Sequence, residues 1–172
     1  GVETGRSHRM WLEDFENATV YGFDIFEYGV DEFNRLQKGN PYLDRSVMFK
    51  GDQANTDDLK RFISENGGDF DMIIDDGGHT MEQMQVSLNY LWDDLYGYEV
   101  IKSGDTLTTD LLYSMENNDE TITETNYISK ERLSDIKRQV KWCRTKIGVD
   151  TYTNPKGYTY KWPTMLAFIR KL

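Results

Sequence analysis

Three apolar runs, each closing on acidic residues and followed by turn or helix signals, constrain this chain more than any other feature. "ATVYGFDIF" carries Asp24, "RSVMFKGDQAN" reaches Gly51-Asp52-Gln53, and "FDMIIDD" ends on Asp75 and Asp76. Short apolar runs of this kind, bounded by turn residues, read as buried strands. "TDDLKRFISENGG" has a capping threonine, acids in its first turn and glycines past its end, the pattern of a well-signalled helix. Further helices are expected over "TMEQMQVSLNYLWDDL", over Asp31 to Lys38, and where Met10, Trp11 and Phe15 recur at helical spacing. This alternation predicts an α/β domain, a mostly parallel twisted sheet with helices on both faces. In open sheets of that type the ligand crevice lies at the carboxyl ends of the strands. Acids at three such ends are the main clue to function.

Composition narrows the field. A chain of 172 residues holds one domain with a real core, here taken as 1–172. A net charge of −10 opposes broad contact with phosphate backbones, so no nucleic-acid partner is expected. No apolar run approaches the roughly 18 residues of a membrane span and no signal pattern opens the chain, so a cytoplasmic, membrane-free protein is expected. "SKERLSDIKRQVKWCRTKI" reads as one long amphipathic helix, with Cys143 a packed thiol inside it. Only His8 and His79 are histidines, which excludes a multi-histidine centre. "SGDTLTTDLLYSMEN" reads as helix and "TMLAFIRKL" as a terminal strand, after a loop marked by Pro155, Gly157 and Pro163. Tyr96, Tyr98, Tyr158, Tyr160 and Trp162 are candidates to edge a pocket.

Two pieces are missing from the pattern. A strand is expected ahead of the glycine turn "GVETGRS", and a long strand after "LNYLWDDL". "YGYEVIKSGD" reads as too short and polar for that role. The sequence therefore reads as lacking a first strand and an internal segment near Leu95 and Tyr96.

The chemistry concentrates in "FDMIIDDGGHTMEQM". Asp75, Asp76 and His79 put two carboxylates and an imidazole within five residues, a set able to take a proton or hold a hard divalent cation. The plain alternative is that Asp76 or Thr80 caps the next helix, with His79 in its first turn. Gly77 and Gly78 read as leaving space above the group. In the glycine turn, Gly1 and Gly5 let backbone approach a ligand, or simply enter a helix. Asp24, about twenty residues on, stands where a carboxylate meets ribose hydroxyls, or is a solvated strand end. Asp52 and Gln53 together offer a donor and acceptors to a purine edge.

"GVETGRSHRMW", "VYGFDIF", "FKGDQAN" and "FDMIIDDGGHTMEQM", in this order, resemble the S-adenosylmethionine-dependent sugar O-methyltransferases of the macrocin and mycinamicin type. The resemblance covers roughly the first 95 residues and the last strand. It implies a Rossmann-like class I methyltransferase fold and magnesium-assisted methylation of a sugar hydroxyl on a glycan or glycoside. It also implies that Gly1, Glu3 and Gly5 line the methionine part of S-adenosylmethionine, Asp24 holds the ribose, and Asp52 with Gln53 sits by the adenine. Asp75 would lie on the cofactor side, Asp76 would bind Mg2+, and His79 would be the general base. The family's Glu-Asp pair at the next strand end has no counterpart, Thr109-Asp110 being the nearest by position. A homo-oligomer, or part of a larger glycan-assembling protein, is compatible with this. Two other readings stay open: a nicotinamide-dependent dehydrogenase, since Asp24 after a glycine turn also suits NAD, and a non-catalytic Rossmann-like binding domain.

Overall fold

The computed structural model describes residues 1–103, 106–153 and 159–171. Helix α1 (Arg6–Asp14) leads into strand β1 (Val20–Asp24), and α2 (Val30–Gln37) precedes β2 (Ser46–Lys50). Next come α3 (Thr56–Asn66), β3 (Phe70–Asp75) and α4 (Met81–Leu91). β4 (Leu95–Ser103), α5 (Thr106–Asn117), α6 (Lys130–Gln139) and the hairpin of β5 (Val140–Thr153) and β6 (Thr159–Lys171) complete the chain. The first three strands stand where the apolar runs put them, each leading directly to its acids.

β1 pairs in parallel with β2, from Val20 opposite Ser46 to Asp24 opposite Lys50. β3 pairs in parallel with β4, and β6 runs antiparallel to both β4 and β5. The described strands thus form two sheets, β1-β2 and β3-β4-β6-β5. What joins them is aromatic. Phe62 of α3 lies edge-on to Tyr21, Phe23 and Phe49 at ring distances of 6.1, 5.4 and 5.2 Å and stacks on Phe70 at 5.7 Å. One helix side chain therefore touches β1, β2 and β3. The main core lies on the other sheet, where Leu88, Trp92, Leu95, Ile101, Leu111, Leu112, Ile136 and Ile169 are fully buried.

Two expectations are corrected. The long helix ends at Gln139, and "VKWCRTKIGVDTYT" is β5, paired without interruption from Trp142 opposite Arg170 to Thr153 opposite Thr159. Its β-branched and aromatic residues favour a pleated strand once β6 is alongside, a non-local gain that a 3.6-residue pattern in the first half of the segment masks. Cys143 is consequently a strand residue. It is packed as expected, with its Sγ against the Leu112 carbonyl at 3.8 Å, and burial pushes its thiol up to about 12. "LYGYEVIKS" is β4 despite its polarity, because β3 and β6 satisfy its backbone on both sides while Leu95 and Ile101 are fully buried. Its register slips between Phe70 opposite Leu95 and Met72 opposite Tyr98. There Gly97 lies so close to the Asp71 carbonyl that any Cβ would overlap it. Pro163, expected in the loop, lies within β6 opposite Val149, while Pro155, Gly157 and Tyr158 lie outside the described residues, as do the side chains of Tyr98, Tyr160 and Trp162. Tyr96 is exposed.

Truncating Phe62 removes the ring common to β1, β2 and β3, so Phe62→Ala is expected to cost about 3–5 kcal/mol in denaturant unfolding. A loss no larger than that of an exposed aromatic would show that the two sheets are held together elsewhere.

Candidate active site

The glycine turn folds back onto the end of β1. Asp24 Oδ2 accepts the amides of Val2 at 2.6 Å and Glu3 at 3.0 Å, and Oδ1 accepts that of Phe26 at 2.6 Å. Burial alone raises the Asp24 pKa, but the amides of Glu3, Val2 and Phe26 outweigh it and hold the carboxyl below the usual aspartate range. Glu3 is exposed and held at φ 51°, and Gly5 opens α1 at φ 78°. A glycine is the residue that adopts this left-handed entry without steric cost.

After β2, Asp52 Oδ1 accepts the Ala54 amide at 2.9 Å while its own amide donates to Asp58 at 2.9 Å. Asp52 itself is exposed. The Gln53 side chain turns inward. Its Nε2 donates to both Asp75 oxygens, at 3.1 and 3.3 Å, and its Oε1 accepts the Gly78 amide at 2.8 Å.

Asp75 is 7% exposed and receives the Ser87 hydroxyl at 2.5 Å. Burial pushes its pKa up, opposed by Ser87, Gln53 and the Gly77 amide. Its neighbour Asp76 points the other way, half-exposed, with Oδ1 3.6 Å from His79 Nε2. Thr80 supplies the cap of α4 in a reciprocal arrangement with Gln83. His79 precedes the helix, so the capping explanation for the cluster falls to Thr80. Gly77 and Gly78 do not leave open space, as the sequence reading has it. A Cβ at Gly77 would overlap Gln53 Oε1, and one at Gly78 would overlap the Gln83 amide.

These pieces meet. A Cβ on Gly1 would stand 3.0 Å from Gly77 Cα, 3.2 Å from the Asp76 carbonyl and 3.5 Å from Asp24 Oδ2. The glycine turn, the ends of β1 and β3, and Gln53 after β2 therefore share one rim. Asp110, the possible metal-side substitute, instead lines a polar hollow of about 330 Å³ with Tyr113, Ser114, Asn117, Asp119, Thr121 and Ile122. Among the described residues no three histidine, cysteine or acidic side chains converge as a metal cluster. His8 is buried and neutral, its pKa lowered to about 4 by burial, and its Nε2 lies 2.9 Å from Ser46 Oγ. Sequence reasoning missed Ser87. The available signal was a small hydroxyl at a position flanked by Met84 and Leu88 on the buried face of α4.

No protein-family profile matches the chain. Among curated proteins it is 34% identical over 89 residues to mycinamicin VI 2''-O-methyltransferase from Micromonospora griseorubida, spanning 51% of this chain and 19% of that one. It is 30% identical over 110 residues to L-olivosyl-oleandolide 3-O-methyltransferase from Streptomyces antibioticus, spanning 63% and 25%. To demethylmacrocin O-methyltransferase from Streptomyces fradiae it is 31% identical over 88 residues, spanning 51% and 20%. Over these 88 to 110 residues the chain is similar to sugar O-methyltransferases of the macrocin and mycinamicin type. The matched part makes up a fifth to a quarter of these relatives' length. Among solved structures, MycE methyltransferase of the mycinamycin pathway, bound to Mg, SAH and mycinamycin VI, matches 96% of this chain and 39% of its own at a TM-score of 0.55 and 23% identity. A precorrin-6y C5,15-methyltransferase from Geobacter metallireducens matches 100% of this chain and 77% of its own at a TM-score of 0.61 and 10% identity. At these identities the likeness is one of fold: Rossmann-like, class I methyltransferase.

The depressed Asp24 pKa gives a signed test. Its stabilisation is present above the unfolded aspartate value of about 4 and is lost as pH falls through the folded one. Asp24→Asn should therefore unfold more easily than wild type near pH 7 in urea titrations, with the difference closing as pH falls through the folded Asp24 pKa. An equal gap at both ends would mean that the carboxylate charge does not hold the turn.

Proposed function

We propose that the protein transfers a methyl group from S-adenosylmethionine to a sugar hydroxyl of a glycoside or glycan, with His79 as general base. The observation behind this is the shared rim, where the glycine turn and Asp24 meet the Asp76–His79 loop through the contact of Gly1 with Gly77. S-adenosylmethionine supplies a methyl group already activated on a sulfonium, so the protein has mainly to align it and remove a proton. In this reading Gly1, Glu3 and Gly5 border the methionine part, Asp24 offers its remaining acceptor capacity to the ribose, and Asp52 with the Gln53 backbone borders the adenine. Asp75 serves from beneath, through the loop. His79 takes the hydroxyl proton as the oxygen forms its bond to the methyl carbon and the carbon–sulfur bond of the donor breaks, the neutral thioether S-adenosylhomocysteine leaving. Asp76, 3.6 Å away, offsets the charge the ring then carries.

Magnesium is assigned one protein contact, Asp76, whose half-exposed carboxylate suits a cation that keeps several waters. Among the described residues no group of three or more histidine, cysteine or acidic side chains converges to hold a metal. The acceptor is a small sugar-bearing molecule rather than nucleic acid, in keeping with the charge of −10. No helix among the described residues is long and apolar enough to cross a membrane, and we place the activity in the cytoplasm.

The reading takes residues 1–172 as one domain within a larger protein, in which a further strand separates β1 from β3. β1 and β3 pair only with β2 and β4, and Met72 and Ile74 of β3 are left 42% and 36% exposed. In the full-length protein the β3 amides should be protected from hydrogen exchange; rapid exchange there would dismiss the added strand.

His79→Ala should lose most turnover, about 10²–10⁴-fold, with donor affinity retained, when methyl transfer is assayed across deoxysugar glycosides. Asp24→Ala should weaken donor binding in calorimetry, with NAD silent for both proteins. Binding of NAD in place of S-adenosylmethionine would overturn the assignment, and full activity of His79→Ala would remove the base. Chelation of divalent cations should lower the rate; an unchanged rate would remove magnesium.

A further inference from the structure

We infer that Gln53 and Ser87 are positioning residues that set the Asp76–His79 loop, Gln53 acting there with its side chain rather than on the donor's base. This rests on His79 being the base. Asp75 is the last residue of β3 and Asp76, Gly77, Gly78 and His79 follow directly, so the orientation of His79 depends on how the chain leaves β3. Gln53 holds that exit at two points, donating to the Asp75 carboxylate and accepting the Gly78 amide at 2.8 Å. A primary amide has one carbonyl and one amino group, and both are engaged. Gly77 must lack a side chain for this amide to seat.

Ser87 closes the bracket from α4. Its hydroxyl is 2.5 Å from Asp75 Oδ2 and 3.1 Å from the Met84 carbonyl, and it has one proton to donate. Both Ser87 and Asp75 are buried, at 4% and 7% exposure. A desolvated carboxylate that loses a partner reorganises or changes protonation, and either displaces the residues attached to it. The bracket thus links the β2 loop, the end of β3 and helix α4, with the proposed base one residue past the Gly78 amide it holds.

The test uses Ser87→Ala and Gln53→Ala in the full-length protein, beside wild type and His79→Ala. Each should lower kcat about 10- to 100-fold, the scale of a displaced catalytic group, while donor Kd in calorimetry moves less than about two-fold. The imidazole signals of His79, followed by NMR against pH, should shift in both variants and return towards wild type in Ser87→Thr. Unchanged kcat and unchanged His79 signals in folded variants would overturn the inference. So would a Gln53→Ala variant whose donor Kd weakens in step with kcat, which would return Gln53 to the adenine. If His79→Ala itself keeps full activity, it is the base assignment that fails, and the NMR titration still reports whether Gln53 and Ser87 hold the loop.

Discussion

A carboxylate sunk at the end of a strand has to be met by donors, and that requirement at Asp75 organises the rim. Burial of an ion without partners is costly enough that the group neutralises or the structure changes. Here the donors come from two different elements, the Gln53 amide after β2 and the Ser87 hydroxyl of α4. Meeting them fixes the distance between those elements and directs the next residue, Asp76, outward. An apolar residue at 75 could pack in the same space, yet it would leave the Gly78 amide and the Gln53 side chain without their shared reference point.

The acids at the strand ends are alike in sequence and divided in role by solvent and by their nearest amides. Asp24 spends three acceptor positions on backbone donors and becomes the clasp of the glycine turn. Asp52 shapes its own loop through Ala54. Asp75 is internal, and Asp76 alone keeps a half-exposed carboxylate beside the imidazole. The glycines follow the same logic, since Gly77 and Gly78 make room for the side chains of Gln53 and Gln83.

The strand ends and α3 were legible because local signals and tertiary packing agree there: Gly67 closes α3 as expected, although the cap is Asn55, whose side chain accepts the Asp57 amide, and Thr56 is the first helical residue. The Asp76–His79 pairing was legible because it is local in sequence. Three things were not. The β5–β6 hairpin depends on pairing with a partner strand, from Thr153 opposite Thr159 out to Trp142 opposite Arg170, and Lys130 to Gln139 satisfied a helical period that gave no notice of its end. β4 hides its strand character in a polar run whose backbone is satisfied from both sides. The inward turn of Gln53 is a choice between two hydrogen-bonding partners, ligand or protein, and a single sequence is silent on which is nearer.

The geometry of the glycine turn also separates the two cofactor chemistries that a carboxylate after such a turn permits. A dinucleotide sets its pyrophosphate against backbone amides at the turn and at the start of the following helix, drawn by their partial positive charge. In this chain the Val2 and Glu3 amides point at Asp24 instead, 2.6 and 3.0 Å from the same oxygen. A phosphate arriving there would have to displace a carboxylate that those amides already hold in its charged form, and it would face the charge of that carboxylate as well. The nearest cation at the helix start, Arg6, is engaged by Glu32 at 3.2 Å. On the proposed reading, the sulfonium of the donor is attracted by this carboxylate where a pyrophosphate would be repelled. On that reading, the clasp that orders the turn weighs against a pyrophosphate at the Val2 and Glu3 amides.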